Sequence, residues 1–310
     1  MKTVLRYAGG KSRAYKTITG FLPTNTKKII SPFIGGGSLE SRWSTELNIE
    51  VIGFDIFHHL VNFWNVLLND SNKLADGLLE LNPDKETYED IKNKLLMWEE
   101  TQKLFIGYKT DYYKRKPTKL SNMDGAIYYY FNHNLSYGPG FLGWMSKIYT
   151  NKKKYYNMVE RVRKYENHKL SVYKESFENI IPKYCNDLIY LDPPYFLDNS
   201  NDNKMFKGMY PMANFAFHHE GFEHEKLLKL LQKHKGHFIL SYNNCKKIRD
   251  MYNGYDFYYP SWNYSYGQGE TRIGKNKTNN KPKESHEILI TNIKYDILEK
   301  RDETLNAFFE

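Results

Sequence analysis

The chain has 310 residues, with 45 Lys and Arg against 36 Asp and Glu, a formal charge of +9. Only two cysteines occur, Cys185 and Cys245, which excludes a disulfide scaffold and a four-cysteine zinc site and points to a reducing, cytosolic compartment. No apolar run reaches the roughly 18 residues of a membrane span, and the first residues lack an apolar secretory segment, so no membrane partner is expected.

The basic balance suits a polyanion such as nucleic acid. It equally suits the Lys, Asn, Tyr and Ile bias of an AT-rich coding sequence. The 27 tyrosines supply faces on which unpaired bases can stack, or ordinary core filling.

Apolar runs alternating with helical patterns predict an α/β fold with a mostly parallel sheet. A helix is expected over Ser12–Phe21, a strand at Lys28–Ile30, a helix over Ser38–Leu47, a strand at Val51–Phe54 and a helix over Leu60–Leu68. Then the βα rhythm fails. Residues 69–167 read as helical or irregular, rich in Lys and Tyr, with a glycine-dotted run from Tyr137 to Trp144 and a helix at Tyr155–Tyr165. This stretch reads as an insertion between the second and third strands. Strands resume at Leu170–Tyr173 and Leu188–Leu191. A helix over Phe222–His234 carries Phe222, Leu227, Leu230 and Leu231 at helical spacing, with Gly236 as its stop. Strands at Phe238–Ser241, Asp256–Tyr259 and Ile288–Thr291 complete the set, and the lysine-bearing loop Lys275–Ser285 suits phosphates.

Two signals carry chemistry. The first is Phe33-Ile34-Gly35-Gly36-Gly37-Ser38, between a strand and a helix. Glycines in a βα turn let backbone approach a bound small molecule closely. Asp55, twenty residues beyond Gly35, ends a strand and can accept hydrogen bonds from both hydroxyls of a ribose. A nucleoside-containing cofactor on a Rossmann-like sheet follows. A dinucleotide fits less well, because Glu40 stands where G-x-G-x-x-G requires a small residue.

The second signal is Asp192-Pro193-Pro194-Tyr195 at a strand end. Each proline fixes φ, and Pro194 drives Pro193 out of the helical region. The corner is stiff, so the Asp192 carboxylate and the Pro193 carbonyl become two acceptors at a fixed separation, suited to one exocyclic amine. Tyr195 would stack on an extruded base. The corner reads an amine and not a polymer, so an RNA adenine, another amino group, or a catalytically silent nucleic-acid-binding module stays open. His219 with Glu223, or Glu220 with His224, lacks a third ligand, and no metal is expected.

Asp192-Pro193-Pro194-Tyr195, with Phe33-x-Gly35-x-Gly37 upstream, resembles the α-class, Dam-like S-adenosylmethionine-dependent DNA adenine-N6 methyltransferases. Tyr7-Ala8-Gly9-Gly10-Lys11 resembles that family's aromatic-Ala-Gly-Gly-Lys segment, which implies cofactor contacts from Tyr7 and Lys11. Further similar segments are Asp55 with Leu60-Val61-Asn62, Glu175-Ser176-Phe177, Ser241-Tyr242-Asn243, and His286-Glu287-Ile288-Leu289-Ile290-Thr291-Asn292. Two departures stand out: Ser176 replaces an Asp before the aromatic, and the insertion lacks the Dam-like recognition pattern.

The resemblance implies a Rossmann-like seven-stranded sheet with helices on both faces, and a smaller, mainly helical inserted domain. The catalytic domain would be residues 1–68 and 168–310, and a target-recognition domain residues 69–167. It implies S-adenosyl-L-methionine held by Tyr7, Lys11, Phe33, Gly35, Gly37, Asp55, Phe177 and Asp192. Catalysis would fall to Asp192, Pro193, Pro194 and Tyr195 on an adenine flipped from duplex DNA. A restriction–modification or viral setting follows, with a cognate restriction endonuclease as functional partner.

Overall fold

The computed structural model describes residues 3–7, 9–104, 116–137, 140–196, 222–260 and 287–294. In chain order the elements are α1 (Tyr15–Gly20), β1 (Lys28–Ser31), α2 (Glu40–Glu46), β2 (Glu50–Asp55), α3 (His58–Leu79), α4 (Lys85–Met97), α5 (Glu99–Leu104) and α6 (Asn122–Leu135). There follow α7 (Lys152–Arg163), β3 (Leu170–Lys174), α8 (Phe177–Lys183), β4 (Ile189–Leu191), α9 (His224–Lys233), β5 (Phe238–Asn243), α10 (Lys246–Met251), β6 (Asp256–Tyr258) and β7 (Glu287–Thr291). All seven expected strands are present, within one or two residues of their expected ends.

The strands form one seven-stranded sheet in the order β3-β2-β1-β4-β5-β7-β6. β1 pairs in parallel with β2 and β4, and β4 with β5; β7 runs antiparallel to both β5 and β6. The order reverses between β1 and β4. At such a reversal, right-handed crossovers, the general rule for parallel strands, place the connecting helices on opposite faces.

Packing divides the chain into two compact units, residues 1–10, 35–37 and 55–174, and residues 11–34, 38–54 and 175–310. In the second unit, β4, β5 and β7 are buried along their whole length. Near-continuous apolar strands of this kind need cover on both faces. Ile30, Ile189, Leu191, Phe238, Leu240, Ile288 and Ile290 form the centre of that core, with Leu227 and Leu231 from α9 against it.

The first unit is helical apart from β3. α3 buries Leu60, Phe63, Trp64 and Leu67, then Leu74 and Leu78, at helical spacing. The helix expected over Leu60–Leu68 instead runs to Leu79, interrupted at Asp70 (φ −151°, ψ 66°). The Asp70 carboxylate accepts from the Lys73 amide at 3.0 Å, so it caps the second stretch as a new helix start. Phe63 of α3 stacks on Tyr130 of α6, 5.2 Å between centroids. The glycine-rich run after α6 is tied back to it: the Asn132 side-chain oxygen accepts from the Leu142 amide at 2.7 Å, and the Ser136 hydroxyl from the Gly140 amide at 2.9 Å. Trp144 at the end of that run is 77 % exposed. Gly138, Pro139, His218–Gly221, Arg272 and Lys275–Ser285 lie outside the described residues.

Candidate active site

In an open α/β sheet, ligands bind at the carboxyl ends of the strands where the order reverses. Here that point lies between β1 and β4. β1 ends at Ser31 and leads into Phe33 and the glycine turn; β4 ends at Leu191 and leads straight into Asp192. β1 and β4, paired in parallel within the second unit, therefore end side by side at that carboxyl edge.

In the second unit Asp192 is held from beneath. The Lys11 ammonium, 3 % exposed, donates to both carboxylate oxygens, at 2.9 and 2.8 Å, and lies 3.7 Å from the buried Glu287 carboxylate. Burial by itself would lower the Lys11 pKa; Asp192 and Glu287 more than reverse this and hold it above the ordinary lysine value. Asp192 keeps 24 % of its side chain exposed, so one side of the carboxylate is open to a ligand. The Lys11 amide donates to the Ser38 hydroxyl at 3.0 Å, which fixes the backbone that delivers the ammonium.

The far end of the diproline corner is clamped too. Asn243, at the end of β5, accepts from the Phe196 amide at 3.0 Å and donates to the Phe196 carbonyl at 2.9 Å. Tyr195, expected to offer a stacking face, is 2 % exposed in the core, with the Lys11 ammonium 5.1 Å from its ring centroid and its hydroxyl 3.5 Å from that of Ser241. As placed, this ring braces the corner instead of facing open space.

Phe33 and Phe177, both expected at the cofactor, meet at 5.5 Å between centroids; Phe222 joins them at 5.7 and 5.2 Å. Ser176, the departure from the family pattern, caps α8 by accepting from the Glu178 amide at 3.3 Å. Glu40, which argued against a dinucleotide, is buried and accepts from the Ser31 hydroxyl at 2.8 Å. Burial outweighs that bond and pushes its carboxyl up to about 7.

The first unit gathers Tyr7, the glycines and Asp55. Gly35 and Gly37 have φ of +47° and +56°, the left-handed region that glycine enters freely. A Cβ on Gly36 would lie 2.5 Å from the Tyr7 Cβ, and one on Gly37 would lie 2.6 Å from the Trp64 ring. The room left by the absent side chains is thus taken by the protein's own Tyr7 and Trp64, and the indole donates to the Gly35 carbonyl at 3.0 Å. Asp55 accepts from the amides of Gly35 at 3.2 Å and Phe57 at 3.0 Å, one on each oxygen. Desolvation outweighs these bonds and a third from the Ile56 amide, and raises its carboxyl to about 6.

The Tyr7 segment is anchored on the end of α6. The Arg6 amide donates to the Asn134 side chain at 2.9 Å and its guanidinium to the Asn134 carbonyl at 2.7 Å, while His133 bonds the Arg6 carbonyl at 2.7 Å and stacks behind Tyr7. Burial lowers the His133 pKa to about 4, so Nε2 donates from a neutral ring.

Taken unit by unit, the residues have chemistry found in adenosyl recognition: the first unit's Asp55 carboxylate has spare lone pairs for hydroxyls, and the second unit's Phe33, Phe177 and Phe222 are apolar rings of the kind a purine stacks on. Sequence reasoning placed Lys11 at the cofactor, and the structure spends its ammonium on Asp192. It gave no role to Glu287, Asn243, Phe222 or Trp64. Glu287 and Asn243 lie inside family-like segments, and that position was the one available signal. Among the described residues no cluster of His, Cys, Asp and Glu is arranged to hold a metal.

A seven-stranded, mostly parallel sheet with an antiparallel β7 and an Asp-Pro-Pro-Tyr corner at its switch point defines a Rossmann-like methyltransferase. The D12 class N6 adenine-specific DNA methyltransferase family matches residues 7–266, and the chain belongs to that family. It is therefore an adenine-specific DNA methyltransferase. It is similar to the Type II methyltransferase M.CviBI of Paramecium bursaria Chlorella virus NC1A, 21 % identical over 260 residues, covering 82 % of this chain and 88 % of that protein. No helix among the described residues is long and apolar enough to cross a membrane.

Proposed function

We propose that the chain transfers a methyl group from S-adenosyl-L-methionine to adenine N6 in duplex DNA, on a base swung out of the stack. The observation that carries this reading is the clamped corner at residues 192–196, which leaves β4 at the switch point of a D12-family sheet. When bound, S-adenosyl-L-methionine supplies a methyl activated by a sulfonium. Asp55 would accept the ribose hydroxyls, Gly35 and Gly37 would hold the left-handed turn against Tyr7 and Trp64, Tyr7 would pack on the donor, and Phe33 and Phe177 would take its adenine.

The amine is handled by the corner. Asp192 and the Pro193 carbonyl each accept one N–H of N6, which orients a lone pair that conjugation otherwise ties into the ring. Pro194 keeps the two acceptors at fixed separation, and Tyr195 braces them from the core. Asp192, with an ammonium on both oxygens, acts as an acceptor, and the proton displaced from N6 leaves to water during or after transfer.

Residues 69–167 read the target. Lys116, Lys119, Lys147, Lys152, Lys153 and Lys154 are exposed there and suit phosphates, and Trp144 suits a groove or an unstacked base. The viral Type II relative supports a restriction–modification or viral setting, in which the partner is an endonuclease cutting the same sequence.

The test is expression in a methylation-free host with single-molecule sequencing, together with labelled S-adenosyl-L-methionine offered to DNA and RNA side by side. N6-methyladenine in one short DNA motif is expected. Asp192→Ala should lower kcat by at least about 10³-fold with cofactor affinity little changed. RNA as the preferred substrate, or Asp192→Ala near the wild-type rate, overturns the reading.

A further inference from the structure

The mechanism above uses one member of a three-charge row. Asp192, Lys11 and Glu287 come from three distant parts of the chain, and all belong to the second unit. The Glu287 side chain is fully buried, and Lys11 nearly so. Placing an acid there costs free energy unless a cation compensates it, and the Lys11 ammonium at 3.7 Å does so. A simple structural pair would need only two charges. The third, Asp192, is the one with an open side.

The sheet register sharpens this. Glu287 pairs directly across from Asn243 in the antiparallel β5–β7 ladder. Asn243 holds Phe196 by two backbone bonds, at the far end of the corner. Glu287 stands behind the lysine that holds Asp192 at the near end. One rung of the sheet thus controls both ends of residues 192–196.

We propose that Glu287 is a positioning residue for methyl transfer, acting on Asp192 through Lys11. This rests on the reading of Asp192 as the amine acceptor. An ammonium bound to both oxygens of Asp192 withdraws charge from it and weakens it as an acceptor. Glu287 offsets that ammonium from behind, so the row keeps one net negative charge, directed at the open side. It also fixes the end of a long, flexible side chain whose wandering would move Asp192.

The experiment is a double-mutant cycle under single-turnover conditions in the full chain. Glu287→Gln keeps the shape and removes the charge. Its kcat should fall about 10- to 100-fold, the range expected when a reacting group is misplaced by an ångström, with KM for DNA and cofactor affinity within about threefold. In a Lys11→Met background the same change should cost nothing further, because its route to Asp192 is gone. Glu287→Asp should recover part of the rate. A kcat within twofold of wild type, a loss confined to KM, or full additivity with Lys11→Met overturns the inference.

Should Glu287→Gln fail to fold by circular dichroism, Glu287→Asp decides: a kcat reduced about tenfold supports the role, and an unchanged one rejects it. Asp192→Asn is measured alongside. If it stays active, the reading of Asp192 itself fails. If it is dead while Glu287→Gln keeps a kcat within twofold of wild type, only the role of Glu287 falls.

Discussion

Asp192 and Asp55 are both carboxylates at strand ends, yet their surroundings differ in kind. Asp192, in the second unit, has a buried ammonium on both oxygens and a second acid behind that ammonium. Asp55, in the first unit, receives the backbone amides of Gly35, Ile56 and Phe57 and has no charged partner among the described residues, and desolvation raises it to about 6. One carboxylate is fixed by charge over long range; the other is fixed by a turn whose shape depends on glycines. The difference matches what each is proposed to bind. An amine that must be held in one orientation needs an acceptor that cannot swing. Ribose hydroxyls rotate to suit their partner, so an acceptor held by local backbone is enough.

This contrast breaks most visibly at the glycine turn. Gly37→Ala combines a left-handed φ with a Cβ 2.6 Å from the Trp64 ring. Strain and overpacking together should cost about 3–5 kcal/mol of stability, read by chemical denaturation. A cost under about 1 kcal/mol would mean that the turn relaxes freely and cannot be what fixes Asp55.

Next in size is the titration of Asp55. With its carboxyl raised to about 6, protonation begins not far below neutrality and removes the acceptor. Cofactor affinity by calorimetry should therefore fall as pH drops from 7.5 to 5.5. Asp55→Asn should lose about 10- to 100-fold in affinity at pH 7.5 and flatten this dependence, since a charged acceptor bond is worth about 1.5–3 kcal/mol. Affinity in Asp55→Asn equal to wild type would remove Asp55 from the site.

The smallest effect, and one of opposite sign, belongs to Glu40 in the second unit. Its carboxyl lies at about 7 in the folded chain against 4.5 as a free side chain, chiefly through burial. A raised carboxyl favours the protonated folded state, so its contribution is full below pH 4.5 and is lost as pH rises through 7. Glu40→Gln should therefore gain about 1–2 kcal/mol on wild type at pH 8 relative to pH 5, in thermal unfolding. No difference between the two pH values would mean that the buried carboxyl is already compensated.

Some elements missed in the sequence had local signals. α4 starts at Asp84, whose carboxylate accepts from the Thr87 amide at 2.8 Å, and α6 starts at Ser121, whose hydroxyl accepts from the Asp124 amide at 3.0 Å. Both are N-cap signatures readable from sequence, but the lysine- and tyrosine-rich composition of residues 69–167 hid the helical period behind them. The buried face of α6 includes Gly125, Asn132, His133 and Asn134, which no hydrophobic pattern would flag.

What the sequence by itself determined was everything whose cause lies within a few residues: seven strands from short apolar runs, the stiff Asp-Pro-Pro-Tyr corner from two fixed φ angles, the glycine turn at Gly35 and Gly37. What only the tertiary structure decided was which charges meet. Lys11 stands 181 residues from Asp192, and Glu287 reaches Lys11 only because β7 inserts antiparallel beside β5. An ion pair leaves no periodicity in the chain. Its partners are chosen by the register of a sheet, and that register exists only once the strands have closed.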